Sequence, residues 1–161
     1  MYLDYFTPYT GSDLKNNKYF VDIHADACGT DYPPICFVLK NDLYKNTNLA
    51  SAALSIRTIT SATTAQQCTT FSKEEMDGGR FTDSVTINGV VFVTAQNGGA
   101  AAGNYYESHL AHTWYGGKCY AITQTVHSTA AANYDPPRQE FDKADVWFKL
   151  DTLRNGFSFI Q

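Results

Sequence analysis

The chain predicts an α+β fold: an antiparallel sheet of about six strands packed by a long C-terminal helix. Two turn dipeptides, Asn88-Gly89 and Gly116-Gly117, stand between runs of alternating character, the pattern of β-hairpins. The stretch Arg138–Arg154 carries helix start and stop signals at its two ends. Neither an internal repeat nor a low-complexity linker interrupts the 161 residues, so 1–161 reads as a single α+β domain.

Residues 1–17 lack sustained periodicity and read as an extended N-terminal segment. Lys18–His24 alternates around Tyr19, Val21 and Ile23 and predicts a first strand, with Asp26–Pro34 a loop punctuated by Gly29 and Pro33-Pro34. Ile35–Leu39 is a short apolar strand, Asn41–Leu49 is polar and turn-rich, and Ser51–Thr60 alternates as a strand. Thr63–Met76 is read as a short helix carrying Cys68. Ser84–Ile87 and Val90–Ala95 flank Asn88-Gly89, which suits a type I′ turn because both central residues there need positive φ.

Gln96–Asn104 is a run of small and polar residues and reads as a loop; without a Lys-Ser/Thr pair and a following helix it is no phosphate-binding loop. Tyr105–Tyr115 and Lys118–His127 flank Gly116-Gly117 as the strongest hairpin of the chain. Arg138–Arg154 then predicts a helix capped by Asp135, with Pro136 in its first turn and Asn155-Gly156 at its exit. Phe141, Ala144, Trp147 and Phe148 supply its core-facing stripe, and Phe157-Ser158-Phe159 a final short strand.

A hydrophobic content of 43% with 14% aromatics excludes a disordered chain. A net charge of −4 gives no basic footprint, so nucleic acid is not an expected partner. No run reaches the roughly 18 apolar residues of a membrane span, and the first residues show neither the basic nor the apolar region of a signal peptide. The four cysteines, Cys28, Cys36, Cys68 and Cys119, form no Cys-x-x-Cys pair and permit three disulfide pairings. The favoured set is Cys28–Cys36 with Cys68–Cys119, each bond contributing about 2–4 kcal/mol by chain entropy. Paired cysteines and only 17% charged residues point to a secreted or periplasmic protein, with a lipid anchor on a longer precursor left open.

Candidate chemistry is sparse. His109 and His112, three apart on a strand, face opposite ways and cannot share one metal, so no metal and no cofactor is expected. Glu107 and His109 share a face, as an acid–base pair or as a solvated cross-strand pair. No Gly-x-Ser-x-Gly or His-Glu-x-x-His motif occurs, and no catalytic residue is assigned. Tyr105, Tyr106, Trp114, Tyr115 and Tyr120 crowd one hairpin, either as a stacking platform for sugars and flat ligands or as ordinary strand aromatics.

The runs Ile87-Asn88-Gly89-Val90-Val91-Phe92 and Gly117-Lys118-Cys119-Tyr120-Ala121-Ile122, with Phe141-Asp142, Leu150-Asp151-Thr152-Leu153 and Phe157-Ser158-Phe159, resemble small secreted or lipoprotein domains of bacteria akin to the PsbP-like fold. The resemblance spans about residues 50–161 and departs at the N-terminus and at Gly156, where Thr or Ser is more usual. It implies a sheet flanked by helices, an accessory or assembly role without catalysis, and a Cys68–Cys119 bond. The expectation is therefore a non-catalytic extracytoplasmic accessory domain that binds a protein partner or itself. The alternative is a small-molecule or glycan-binding module using the Tyr105–Tyr120 hairpin, with Glu107 and His109 beside it.

Overall fold

The computed structural model describes residues 20–22, 35–77 and 79–159. One antiparallel sheet organises them: β1 (Phe20–Asp22), β2 (Ile35–Leu39), β3 (Leu49–Thr58), β4 (Arg80–Ile87), β5 (Val90–Ala101), β6 (Asn104–Tyr115) and β7 (Lys118–Thr129). The spatial order is β1-β2-β3-β7-β6-β5-β4, a four-strand meander joined through its last strand to β3. Among the described residues two α-helices accompany it, α1 (Ala65–Cys68) and α2 (Lys143–Asn155). The expected N-terminal segment 1–17 and the loop Asp26–Pro34 lie outside the described residues.

Turn chemistry sets the register of the meander. Asn88 and Gly89 take φ of 45° and 82° and join Ile87 to Val90; Gly116 and Gly117 take 56° and 78° and join Tyr115 to Lys118. Cross-strand partners share a face. The register therefore gathers Phe37, Leu54, Ile122, Ala111 and Phe92 on one side, where they pack with Val146, Leu150 and Leu153 of α2.

Several expectations change. Gln96–Asn104 is no loop: β5 runs on to Ala101, and only Ala102-Gly103 turn before Asn104 opens β6. A ladder is made of backbone groups, so small side chains do not prevent pairing wherever a partner strand lies alongside, here Asn104–Ser108. The predicted Thr63–Met76 helix shrinks to one turn at Ala65–Cys68, capped by Thr64, whose hydroxyl accepts from the Gln67 N–H at 3.2 Å. Phe157–Phe159 is extended but pairs with no strand among the described residues.

The C-terminal helix begins at Lys143 and not at Arg138, capped by Asp142 and not by Asp135, and the Asp135–Pro136 peptide is cis. Long-range hydrogen bonds hold the intervening chain extended. The Gln139 N–H donates to Asn46 O, the Asn48 N–H donates to Gln139 O, and the Phe141 N–H donates to Asn48 Oδ1. The later start also selects a different buried stripe, since Val146, Leu150 and Leu153 point inward while Phe148 is 70% exposed and Ala144 faces solvent.

Candidate functional site

The face of the sheet turned away from α2 carries the connection between β3 and β4. The single turn of α1 delivers Cys68 to Cys119 of β7, and the two form a disulfide with Cα atoms 5.4 Å apart. Cys36 is disulfide-bonded too; Cys28, its expected partner, lies outside the described residues. Three residues past Cys68, Phe71 sinks beside Ala95 and Leu110 and anchors the connection a second time.

Ser72-Lys73-Glu74-Glu75 follows as a capping box. The Glu75 N–H donates to Ser72 Oγ at 3.2 Å, and the Ser72 N–H donates to Glu75 Oε2 at 2.8 Å. One carboxylate oxygen of Glu75 is consumed by the turn. The other, Oε1, stands 3.5 Å from Arg57 Nη2 of β3 and 3.5 Å from His112 Nε2 of β6.

His112 is 1% exposed, with its ring 4.4 Å from that of Phe71. Its Nδ1 faces the carbonyl oxygen of Cys68 at 3.1 Å, so that nitrogen carries the proton and donates. In the neutral ring Nε2 is then a lone pair. Burial holds the imidazole below its ordinary pKa, opposed by the Glu75 charge and the Cys68 hydrogen bond and reinforced by Arg57. Nε2 makes no hydrogen bond and is the one buried side-chain N or O among the described residues without such a partner. Glu75 Oε1 stands 3.5 Å from it, an ion pair only when the ring is protonated. A cleft of about 870 Å³ opens over this group, lined by Arg57, Gln66, Gln67, Glu74, Glu75 and His112 with several Ser and Thr hydroxyls.

The residues singled out in the sequence do not assemble into one surface. Tyr105, Glu107, His109, Tyr115 and Tyr120 fall on the α2 side of the sheet, while Tyr106, His112 and Trp114 fall on the other. Tyr120 is buried against Phe159, and Tyr115 stacks on Phe159 at 4.0 Å. Tyr106, half exposed, stacks on His127 at 4.4 Å. Glu107 and His109 share a face but answer to different partners: Glu107 pairs with Lys143 at 2.7 Å, and His109 stacks on Trp147 at 3.8 Å. Burial pushes the His109 pKa down; Asp151 and Glu107 push it up, and Arg154 and Lys143 down.

Sequence reasoning paired no residue with His112 and passed over Arg57 and Glu75. The Ser-x-x-Glu spacing at Ser72–Glu75 was the legible signal. It marks the turn and says nothing of the imidazole 37 residues on. Among the described residues no three His, Cys, Asp or Glu side chains converge as a metal cluster, and no helix is long and apolar enough to cross a membrane. No family model, curated protein or solved structure matches the chain.

Proposed function

We propose that this protein is a non-catalytic extracytoplasmic binding domain of the PsbP-like kind, and that the cleft beside Cys68–Cys119 is its recognition surface. The observation that carries this reading is the buried Nε2 of His112, which makes no hydrogen bond and has only the Glu75 carboxylate beside it, under a polar cleft. A buried acceptor left open costs about 1–3 kcal/mol, a cost that a bound group can relieve. Two further facts favour binding over chemistry. The described cysteines are tied in disulfides, and no hydroxyl hydrogen-bonds His112 Nε2 as a nucleophile activated by that base would. Disulfides also favour an oxidising compartment.

A thermal-shift panel of saccharides, amino acids, small anions and divalent metal salts tests the reading on wild type and on Thr60→Trp and Thr70→Trp, which fill the cleft. A ligand present at about 100 times its Kd adds about 2.7 kcal/mol, hence about 5–11 °C for a chain of this length. A class that shifts the wild type and neither cleft variant is the expected result. A panel without any shift overturns the reading, and so does turnover of ester, peptide or glycoside substrates that His112→Gln abolishes.

A protein partner is the second reading, and one observation favours it. β4 covers β5 only as far as Gln96, which leaves the outer edge of Asn97–Ala101 without a strand partner among the described residues. Such an edge accepts a strand from another chain, or from a second copy.

A further inference from the structure

We infer that the open edge of β5 at Gly98–Ala101 takes an extended segment of another protein, one with large apolar or aromatic side chains at two successive positions that pack against Tyr105 and Tyr106. The inference rests on the second reading above, that this edge takes a strand, and names the strand it takes.

The backbone sets the edge. Ala102 and Gly103 both take positive φ, 50° and 75°, so the turn closes on Ala101 and Asn104 as a hydrogen-bonded pair. Along an antiparallel strand the bonding direction alternates from residue to residue. Ala101, Gly99 and Asn97 therefore bond to β6, while the N–H and C=O of Gly98 and Ala100 point outward. Residues 75–79 cover the edge only as far as Asn97. The Asn97 side chain donates to Glu75 O at 3.0 Å, and Gly79 lies so close that a Cβ on it would stand 2.2 Å from Gln96 O. Beyond them Gly98, Gly99, Ala100 and Ala101 are all exposed. The four carry no charge and no Pro, and their register with β6 is unbroken, so the devices that ordinarily blunt an edge are missing from this stretch.

The side chains select the occupant. Tyr105 is 46% exposed and Tyr106 49%, on opposite faces of β6. Their cross-strand partners on β5 are Ala100 and Gly99. An added strand stands two strand spacings, about 10 Å, from β6, with a methyl group or a bare Cα between. Its residue opposite Gly99 shares a face with Tyr106, and its residue opposite Ala100 shares a face with Tyr105.

Room is present on both faces. Nothing lies within 4 Å of where a Cβ of Gly99 would be, and the Tyr106 ring rests on His127 from the β7 side, which leaves its other face toward β5. On the opposite face Tyr105 borders a cleft of about 680 Å³ shared with Phe141 and residues 130–132. A second copy pairing along this edge brings only Gly and Ala to these positions and covers neither ring. A strand with two large apolar side chains covers both, its backbone supplying affinity and the rings specificity.

The test is calorimetric titration of the full chain with synthetic octapeptides that carry Lys at both ends, Phe, Leu or Ala at both central positions, and Thr elsewhere. The Phe and Leu peptides are expected to bind with one equivalent, tenfold or more tighter than the Ala peptide, and to slow amide exchange at Gly98 and Ala100. Ala100→Pro should weaken binding tenfold or more; the Ala100 N–H points outward, so the ring breaks no bond within the sheet. Tyr105→Ser and Tyr106→Ser should each weaken it severalfold, whereas Thr60→Trp and Thr70→Trp leave it unchanged. Should the Pro variant fail to fold, peptides N-methylated at alternate residues probe the same ladder on the wild type, and only one phase of methylation should abolish binding. Affinity unchanged in Ala100→Pro and indifferent to the phase of methylation overturns the inference. Equal binding of the Ala and Phe peptides, lost in Ala100→Pro, leaves the edge as a strand acceptor and overturns the role of the tyrosines. Self-association that Ala100→Pro dissolves, without peptide binding, gives the edge to a second copy and overturns the inference. A monomer that binds no peptide at millimolar concentration removes the edge reading as well.

Discussion

Replacing both Cys68 and Cys119 by Ala should lower stability by about 4 kcal/mol. The two residues are 51 apart in sequence, and the chain-entropy relation for a loop of that length gives about 4.1 kcal/mol at about 25 °C. For a domain of this size that is about 8–16 °C in Tm. In urea it is a midpoint lower by about 2 M at a slope near ~2 kcal/mol/M, and the slope itself should rise because the unlinked chain unfolds to a more open ensemble. The loss is large against a total of about 5–15 kcal/mol, yet the sheet should survive it. Locally the effect is sharper. α1 is a single turn, too short to persist by itself, and after removal of the disulfide the segment is held to the sheet by Phe71, by the Asn97 side chain's bond to Glu75 O, by the His112 bond to Cys68 O and by the Arg57–Glu75 pair. Amide exchange should therefore accelerate through residues 65–77 while β6 and β7 keep their protection. A total loss below about 1 kcal/mol, or exchange rising evenly across the sheet, would refute the reasoning.

Three further outcomes follow from the packing. Leu150→Ala, at a fully buried position, should cost about 2–5 kcal/mol in denaturant titration, whereas Phe148→Ala at 70% exposure should stay within about 0.5 kcal/mol; comparable losses would refute the assigned stripe. Asn48→Ala leaves Thr129 O, Glu140 and the Phe141 N–H without their bonds to a side chain that is 3% exposed, so about 1–3 kcal/mol should be lost, and a neutral result would remove the latch. Burial lowers the His109 pKa in the folded state, so the unfolded chain binds its proton first as pH falls. Stability should thus decline below about pH 6.5 until the folded-state pKa is passed and then level off. His109→Gln should flatten part of that slope, His112 keeping its own share; an unchanged pH profile would sink the assignment.

Much of the meander was legible because its determinants are local. Positive φ at Asn88-Gly89 and Gly116-Gly117 is written into the dipeptides, and alternation marks which residues of β6 and β7 point together. The two-residue period of a strand likewise suffices to put His109 and His112 on opposite faces. Residues whose state depends on a distant partner were not legible. The run Asn97–Ala101 is a strand only because β6 lies alongside it, and Arg138–Phe141 stays extended only because residues 46–48 capture its backbone groups.

The candidate site shows the same division more sharply. The sequence by itself determined the α+β class, the two tight hairpins and the even cysteine count, all readable from neighbouring residues. Only the tertiary structure decided that Arg57, Glu75 and His112 meet. They come from three separate segments, and their distances depend on a long-range disulfide and on the seating of Phe71. Local propensity acts over a few residues, whereas the place of a side chain in a cleft is set by sheet order and packing, which no short window of sequence contains.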